Sequence, residues 1–510
     1  MSNSSKQIKF GAIMSYFTIA FNMLAGLIYT PWMIKQIGQS NYGLYTLATS
    51  LITLFVVDFG MGAAVARFVS KYNAEGNQEK VNNFLGIVYK LYLLIDAVIL
   101  IAVVVIGFFI NGIYNNLTAS ELETFKVLYV IVGLFTVISF PFTNLNGILT
   151  AYEQFVGLKF ADLFHKIFII VAMVIALLLG YGVYALVIVN AISGLLTIAI
   201  KLVIIKKNTA VKVNFKYMDK SLLKEIFGFS VWTTVGSLAQ RLIFNITPSI
   251  IAAVSVTGSI GVALFGLGQT IEGYVYNFAA ALSGMFMPKV SRMIYEGKKD
   301  TELMPLMIRI GRIQCIIVGL LVFGFIAVGR SFIVDIWNRP EFVDSYWCTV
   351  FLIIPCLLDY PMDIAYTTLI VENKVRLQAC IYAFVGVINV ILSLVLSKYF
   401  GALGASISIF VAYTIRAILM ATVYHKVLKL NMFYFFKETF AKFLPSFVVS
   451  TIIGIILEIF NPMQHEFLRF VVNGFLFVIV FLFLVYLKLN EYEKNLLFNK
   501  IIKRLKGNRL

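Results

Sequence analysis

FLGIVYKLYLLIDAVILIAVVVIGFFI, running from Phe84 to Ile110, is the stretch whose reading decides the fold. An α-helix rises 1.5 Å per residue and the hydrocarbon core of a bilayer is about 30 Å thick, so roughly 20 apolar residues cross it. Phe125 to Phe142 and Ile167 to Gly180 repeat the pattern. Across the 510 residues, 60% are apolar or aromatic and 13% are charged, against about 25% charged in soluble domains. A soluble chain of this length has no interior large enough to bury so much apolar surface. The expectation is an all-α polytopic membrane protein.

Spans are placed near 11–34, 43–66, 84–110, 125–150, 161–180, 183–205, 225–252, 258–286, 304–329, 346–370, 378–398, 402–424, 438–460 and 467–487, which makes about fourteen. The first lacks the strong basic flank and cleavage site of a signal peptide and is kept as a span. A net charge of +17 invites a nucleic-acid reading, but the positive-inside rule absorbs it. With both termini cytoplasmic, the inner segments hold 29 Lys and Arg and the outer gaps hold four: Lys35, Arg330, Arg339 and Lys398. The basicity is topological, and no nucleic-acid partner is implied. Cys315, Cys348, Cys356 and Cys380 lie in or beside spans without CxxC spacing, and His165, His425 and His465 are scattered, so no disulfide framework or metal site is expected.

The chain repeats itself. Phe10-Gly11 and Thr30-Pro31 recur as Phe227-Gly228 and Thr247-Pro248; Val69-Ser70-Lys71 with Glu75-Gly76 recurs as Val290-Ser291-Arg292 with Glu296-Gly297; Pro141 matches Pro361, and Tyr181-Gly182 matches Phe400-Gly401. An even number of helices separates the partners, so the halves share one orientation and should be related by an axis along the membrane normal. The organisation read from this is an N-lobe of six helices (1–206), a basic cytoplasmic linker (207–224), a C-lobe of six (225–425), two extra helices (426–487) and a basic amphipathic tail (488–510) expected on the inner leaflet. Two parallel lobes imply a transporter working by alternating access.

Ile37-Gly-Gln-Ser-Asn-Tyr42-Gly43-Leu-Tyr45, Asp58-Phe59-Gly60 and Ala66-Arg67-Phe68-Val69 resemble the polysaccharide and O-antigen repeat-unit flippases, a branch of the multidrug, oligosaccharidyl-lipid and polysaccharide exporter superfamily. Ile37 stands where that pattern more usually has Leu. The resemblance implies a polyprenyl-pyrophosphate-linked oligosaccharide carried from the inner to the outer leaflet of a bacterial cytoplasmic membrane, for capsule or O-antigen-type polymer assembly. The membrane bilayer and polysaccharide polymerase machinery are the further partners considered, and the expected oligomeric state is a monomer. No cofactor is expected; coupling to H⁺, Na⁺ or membrane potential is left open. Two rivals remain, a cation-coupled multidrug exporter of the same superfamily and a membrane polymerase or ligase of lipid-linked sugars. The second is disfavoured because the outer gaps are short and carry no paired carboxylates.

Charge inside the membrane costs about 2.5–3.5 kcal/mol on insertion scales, so the few charges there are the candidates for substrate or ion sites. Arg241 and Glu272 should share a depth near the midplane, either as an anion site with its counter-charge or as a structural pair. Asp58 and Arg416 each lie 15 residues past the glycine that opens their helix, Gly43 and Gly401. Lys90 and Arg309, matched in the repeat, and the nearby Arg312 are candidates for receiving pyrophosphate at the cytoplasmic mouth, with snorkelling to headgroups as the alternative. Asp359 and Asp363 flank Pro361 and join Glu272 as candidates for a coupling cation. Asn22, Gln240, Asn245 and Tyr276 offer hydrogen-bonding and stacking groups suited to sugars, or to packing between helices.

Overall fold

A computed structural model describes residues 21, 24–56, 60–280, 286–337 and 339–494. Among the described residues there is no strand. Ten helical stretches among the described residues are long and apolar enough to cross a membrane, and the longest of these, Val375–Lys426, is two helices meeting at Gly401, whose φ of 57° and ψ of −133° break the run. That break falls at the turn expected between 398 and 402. The expected spans at 11–34, 43–66 and 258–286 run onto residues outside the described ones.

Burial is distributed as lipid demands. Phe108, Phe109, Val98, Phe475 and Phe483 are exposed, whereas Ser193, Thr368, Ser406 and Asn473 are fully buried and hydrogen-bonded. Acyl chains solvate apolar side chains as well as a core would, so nothing drives those inward, and polar groups turn inward to find partners.

The backbone repeats along with the sequence. Gly76 and Gly297 have φ of 68° and 70°, Gly182 and Gly401 62° and 57°, and the non-glycines Glu153 and Asn373 56° and 55°. Left-handed backbone is uncommon for a residue with a Cβ, so its recurrence at Glu153 and Asn373 is hard to attribute to chance. Pro141 and Pro361 sit at the centres of matching 3₁₀ turns, Phe140–Phe142 and Tyr360–Met362.

By internal packing the described residues fall into two compact units, one drawn from 1–267 and 375–412, the other from 268–374 and 413–510. In the first, Phe68, Phe84, Tyr92, Phe140 and Leu145 form a core. In the second, the Lys442–Phe460 and Glu466–Tyr486 helices pack on Met304–Ser331 through Phe443, Phe447, Phe477 and Phe481. The Phe447 and Phe481 rings stack at 5.2 Å, and Gly319 leaves the room, since a Cβ there would lie 2.7 Å from the Phe447 ring.

Candidate functional site

Within the second unit, titratable groups come together from the parts of three helical segments that lie at 268–280, 356–371 and 413–426. Gly258–Ala280 carries Glu272. The segment around Pro361 is broken into Cys356–Asp359, a 3₁₀ turn and Asp363–Val371, because proline cannot donate to the carbonyl of Leu357 and clashes with it; Asp359 lies at that break. Val375–Lys426 carries Tyr413 and Arg416, three residues apart and so on one face.

The Arg416 guanidinium pairs with Asp359 through Nη2 and Oδ2, and its Cζ stands 3.7 Å from the centroid of the Tyr413 ring. Glu272 is 8% and Arg416 6% exposed, and Glu272 lies within the field of Arg416. Cys356 is buried beside them, and the Tyr360 ring lies 6.0 Å from that of Tyr276. One carboxylate thus pairs with the guanidinium and a second lies within its field, in a medium that solvates charge poorly. With both ionised, the cluster carries an excess negative charge, which a proton or a small cation would neutralise.

The other predicted residues are placed differently. Arg241 is in the first unit, where its Nη1 donates to the carbonyl of Thr53. Lys90 donates to the carbonyl of Tyr217 at 2.9 Å, so part of the linker folds back over it, and Arg309 is exposed. Arg312 is held by the protein itself. Its Nε and Nη2 grip both oxygens of Glu493, Nη2 at 2.8 Å, its Nη1 and Nη2 reach the carbonyls of Glu438 and Lys488 at 2.6 and 2.9 Å, and it lies over Phe443 at 4.5 Å. These contacts occupy four of the five guanidinium N–H groups and make Arg312 a structural staple. They also dock the start of the tail, since Leu489 and Glu493 are buried, while 495–510 lie outside the described residues. Asp363 stands in the first turn of its helix, Tyr276 is half exposed, and Gln240 and Asn245 are partly buried. Asn22 and Asp58 lie outside the described residues.

Sequence reading missed a second polar cluster, in the first unit. Ser40 and Ser259, 219 residues apart and equivalent in the repeat, stand 3.0 Å from each other. Both donate to Oε1 of Glu121, Ser40 at 2.5 Å, while Oε2 of Glu121 caps its own helix at Thr118. The repeat offset was the available signal, but serine is too common in membrane helices to stand out.

Residues 10–295 match the sequence profile of the family described as polysaccharide biosynthesis protein. The chain belongs to that family. The chain is 25% identical over 387 residues to the uncharacterized membrane protein MJ1375 of Methanocaldococcus jannaschii, an alignment covering 72% of this chain and 84% of the relative. Its fold is that of the lipid II flippase MurJ in an inward closed conformation, with a TM-score of 0.66 over 97% of this chain and 100% of that one at 15% identity. It is also that of an inward-facing multidrug resistance MATE family transporter of the MOP superfamily, with a TM-score of 0.62 over 84% and 99% at 16% identity. The family member therefore has the architecture of a membrane transporter, and the MurJ-like fold extends past the profile match to take in the two extra helices.

Proposed function

We infer that this protein is a flippase that moves a polyprenyl-pyrophosphate-linked oligosaccharide repeat unit from the inner to the outer leaflet by alternating access, for surface polysaccharide assembly. The observation that carries the reading is the pairing of its family with the Glu272, Asp359 and Arg416 cluster: a member of a polysaccharide biosynthesis family built on a transporter fold sets Glu272 and Arg416, both buried in apolar helices, beside Asp359 at a helix break. In this reading Arg416 is the fixed positive charge. Glu272 and Asp359 exchange a proton or sodium ion for it as the cavity turns from one side to the other, and the ion they take is the coupling ion. No step in this scheme makes or breaks a bond of the lipid-linked oligosaccharide, so the protein acts as a carrier rather than an enzyme. The membrane is the cytoplasmic one, with both termini inside.

The test is to delete the gene and follow radiolabelled polyprenyl-linked oligosaccharide. Accumulation on the inner leaflet, reversed by the wild-type gene, is the expected result. Normal movement of that lipid together with raised sensitivity to cationic drugs would instead assign the chain to multidrug export.

A further inference from the structure

The first unit carries an apolar groove on its lipid-facing surface, unrelated to the buried cluster. It measures about 380 Å³ and lies between the Gln78–Ile113 and Ala119–Ser139 helices. Leu100, Val103, Val104 and Gly107 form one wall at helical spacing, and Tyr129, Val130, Gly133 and Val137 form the other. Leu100, Val104, Val130 and nearby Phe108 are exposed, so the groove opens to the bilayer. Its depth comes from the glycines: a Cβ on Gly133 would lie 2.8 Å from Val103 Cγ1, and one on Gly107 only 3.7 Å from the Tyr129 ring.

The two ends of the groove are chemically distinct. Lys126 closes one end. Toward the other, one turn beyond Leu100 on the same helix face, Asp96 holds a buried Oδ1 with no hydrogen-bond partner among the described residues. From Lys126 to Val137 the helix rises about 16 Å, close to half of a roughly 30 Å hydrocarbon core. In the topology read from the charge distribution, Lys126 stands on the outer side, at the level of the outer-leaflet phosphates.

We propose that this groove is a binding site for one anionic glycerophospholipid of the outer leaflet, its acyl chain between the two helices and its phosphate on Lys126. The length of the groove fits one leaflet's chain. The groove lining ends at Leu100 and Val137, so a polyisoprenoid long enough to pass the midplane would run out beyond it, which disfavours the carrier lipid as the occupant.

The experiment uses the purified full-length protein, delipidated and then offered phosphatidylglycerol, phosphatidylcholine of the same chains, or a polyprenyl phosphate, with retained lipid counted by native mass spectrometry. Wild type should retain the anionic lipid about fivefold better than the zwitterionic one, the factor that roughly 1 kcal/mol per basic residue at a membrane surface corresponds to. Lys126→Gln should bring that ratio close to one, and Gly107→Leu, which fills the groove, should lose both phospholipids while Gly107→Ala keeps them. Should Gly107→Leu fail to fold, Lys126→Gln, a change at a lipid-facing position, carries the test alone. Equal retention of both headgroups by wild type, an unchanged preference in Lys126→Gln, or displacement of phosphatidylglycerol by polyprenyl phosphate would overturn the assignment.

Discussion

Arg312 and Arg416 are both arginines buried in apolar helices of the same unit, at 3% and 6% exposure, and their surroundings are opposite in kind. Arg312 meets one carboxylate in a two-point grip, and two backbone carbonyls take further donors. Charge is balanced and geometry is fixed, as in a structural ion pair. Arg416 meets Asp359 at the break before Pro361, a tyrosine ring, and the field of a second carboxylate, Glu272. There charge is unbalanced and one partner sits where the helix is interrupted. Position in the membrane is therefore a poor guide to role, and the balance of charge around the group is a better one.

The largest effect expected from this contrast is on stability. Arg312→Met leaves Glu493 buried without its partner and should cost about 3–5 kcal/mol, read as a fall in unfolding temperature and in cellular abundance. Adding Glu493→Leu should recover much of it, because a buried pair can often be exchanged for apolar residues. An Arg312→Met protein that accumulates normally but does not transport would break the contrast.

Glu272→Gln should do the reverse. Removing one of two carboxylates leaves the Arg416 and Asp359 pair intact, so unfolding temperature and abundance should hold while transport falls at least about tenfold, ~1.4 kcal/mol. A loss of stability like that of Arg312→Met would make Glu272 structural as well.

A smaller effect belongs to the cluster that joins repeat-equivalent serines. Glu121→Gln keeps an acceptor but removes the charge from two hydroxyl bonds and a helix cap, and should lower stability by about 1 kcal/mol. An unchanged unfolding temperature would mean these bonds do not persist in solution.

The smallest effect concerns a partly buried counterpart at the end of a span. Glu372, in the turn between two spans, pairs with Lys299 and, at 2.7 Å, with Lys374. Burial pushes its carboxyl upward, but the two lysines outweigh this and hold it below the ordinary value of 4.5. A depressed carboxyl stabilises the fold above its unfolded value and loses that contribution as pH falls through the folded one. Glu372→Gln should therefore cost at most about 1 kcal/mol at neutral pH, and the difference from wild type should close as the solution is acidified below 4.5. A difference that persists in acid would assign the effect to packing.

Much of the fold was legible because membrane helices announce themselves by length and apolarity, and because glycine and proline mark breaks that the backbone then shows at Gly401, Pro141 and Pro361. Glu272, Asp359 and Arg416 were legible one at a time, since a charge in an apolar run is conspicuous. Their grouping was not, because residue count along a helix gives depth but not direction around the bundle. The same gap made Arg312 look available: its partner Glu493 stands 181 residues away, in a tail whose composition pointed to the membrane surface. Glu121 was invisible for a further reason, that its partners are serines.

The claim that this chain is a lipid-linked oligosaccharide flippase built around the Glu272 cluster is tested most directly by reconstitution. Purified protein would be placed in liposomes containing a polyprenyl-pyrophosphate-linked oligosaccharide, and the fraction reaching the outer leaflet followed with an impermeant glycosidase. Wild type should expose the internal pool at a rate that depends on an imposed proton or sodium gradient, and Glu272→Gln, equally well folded, should not. Equal rates for wild type, Glu272→Gln and empty liposomes would contradict the account.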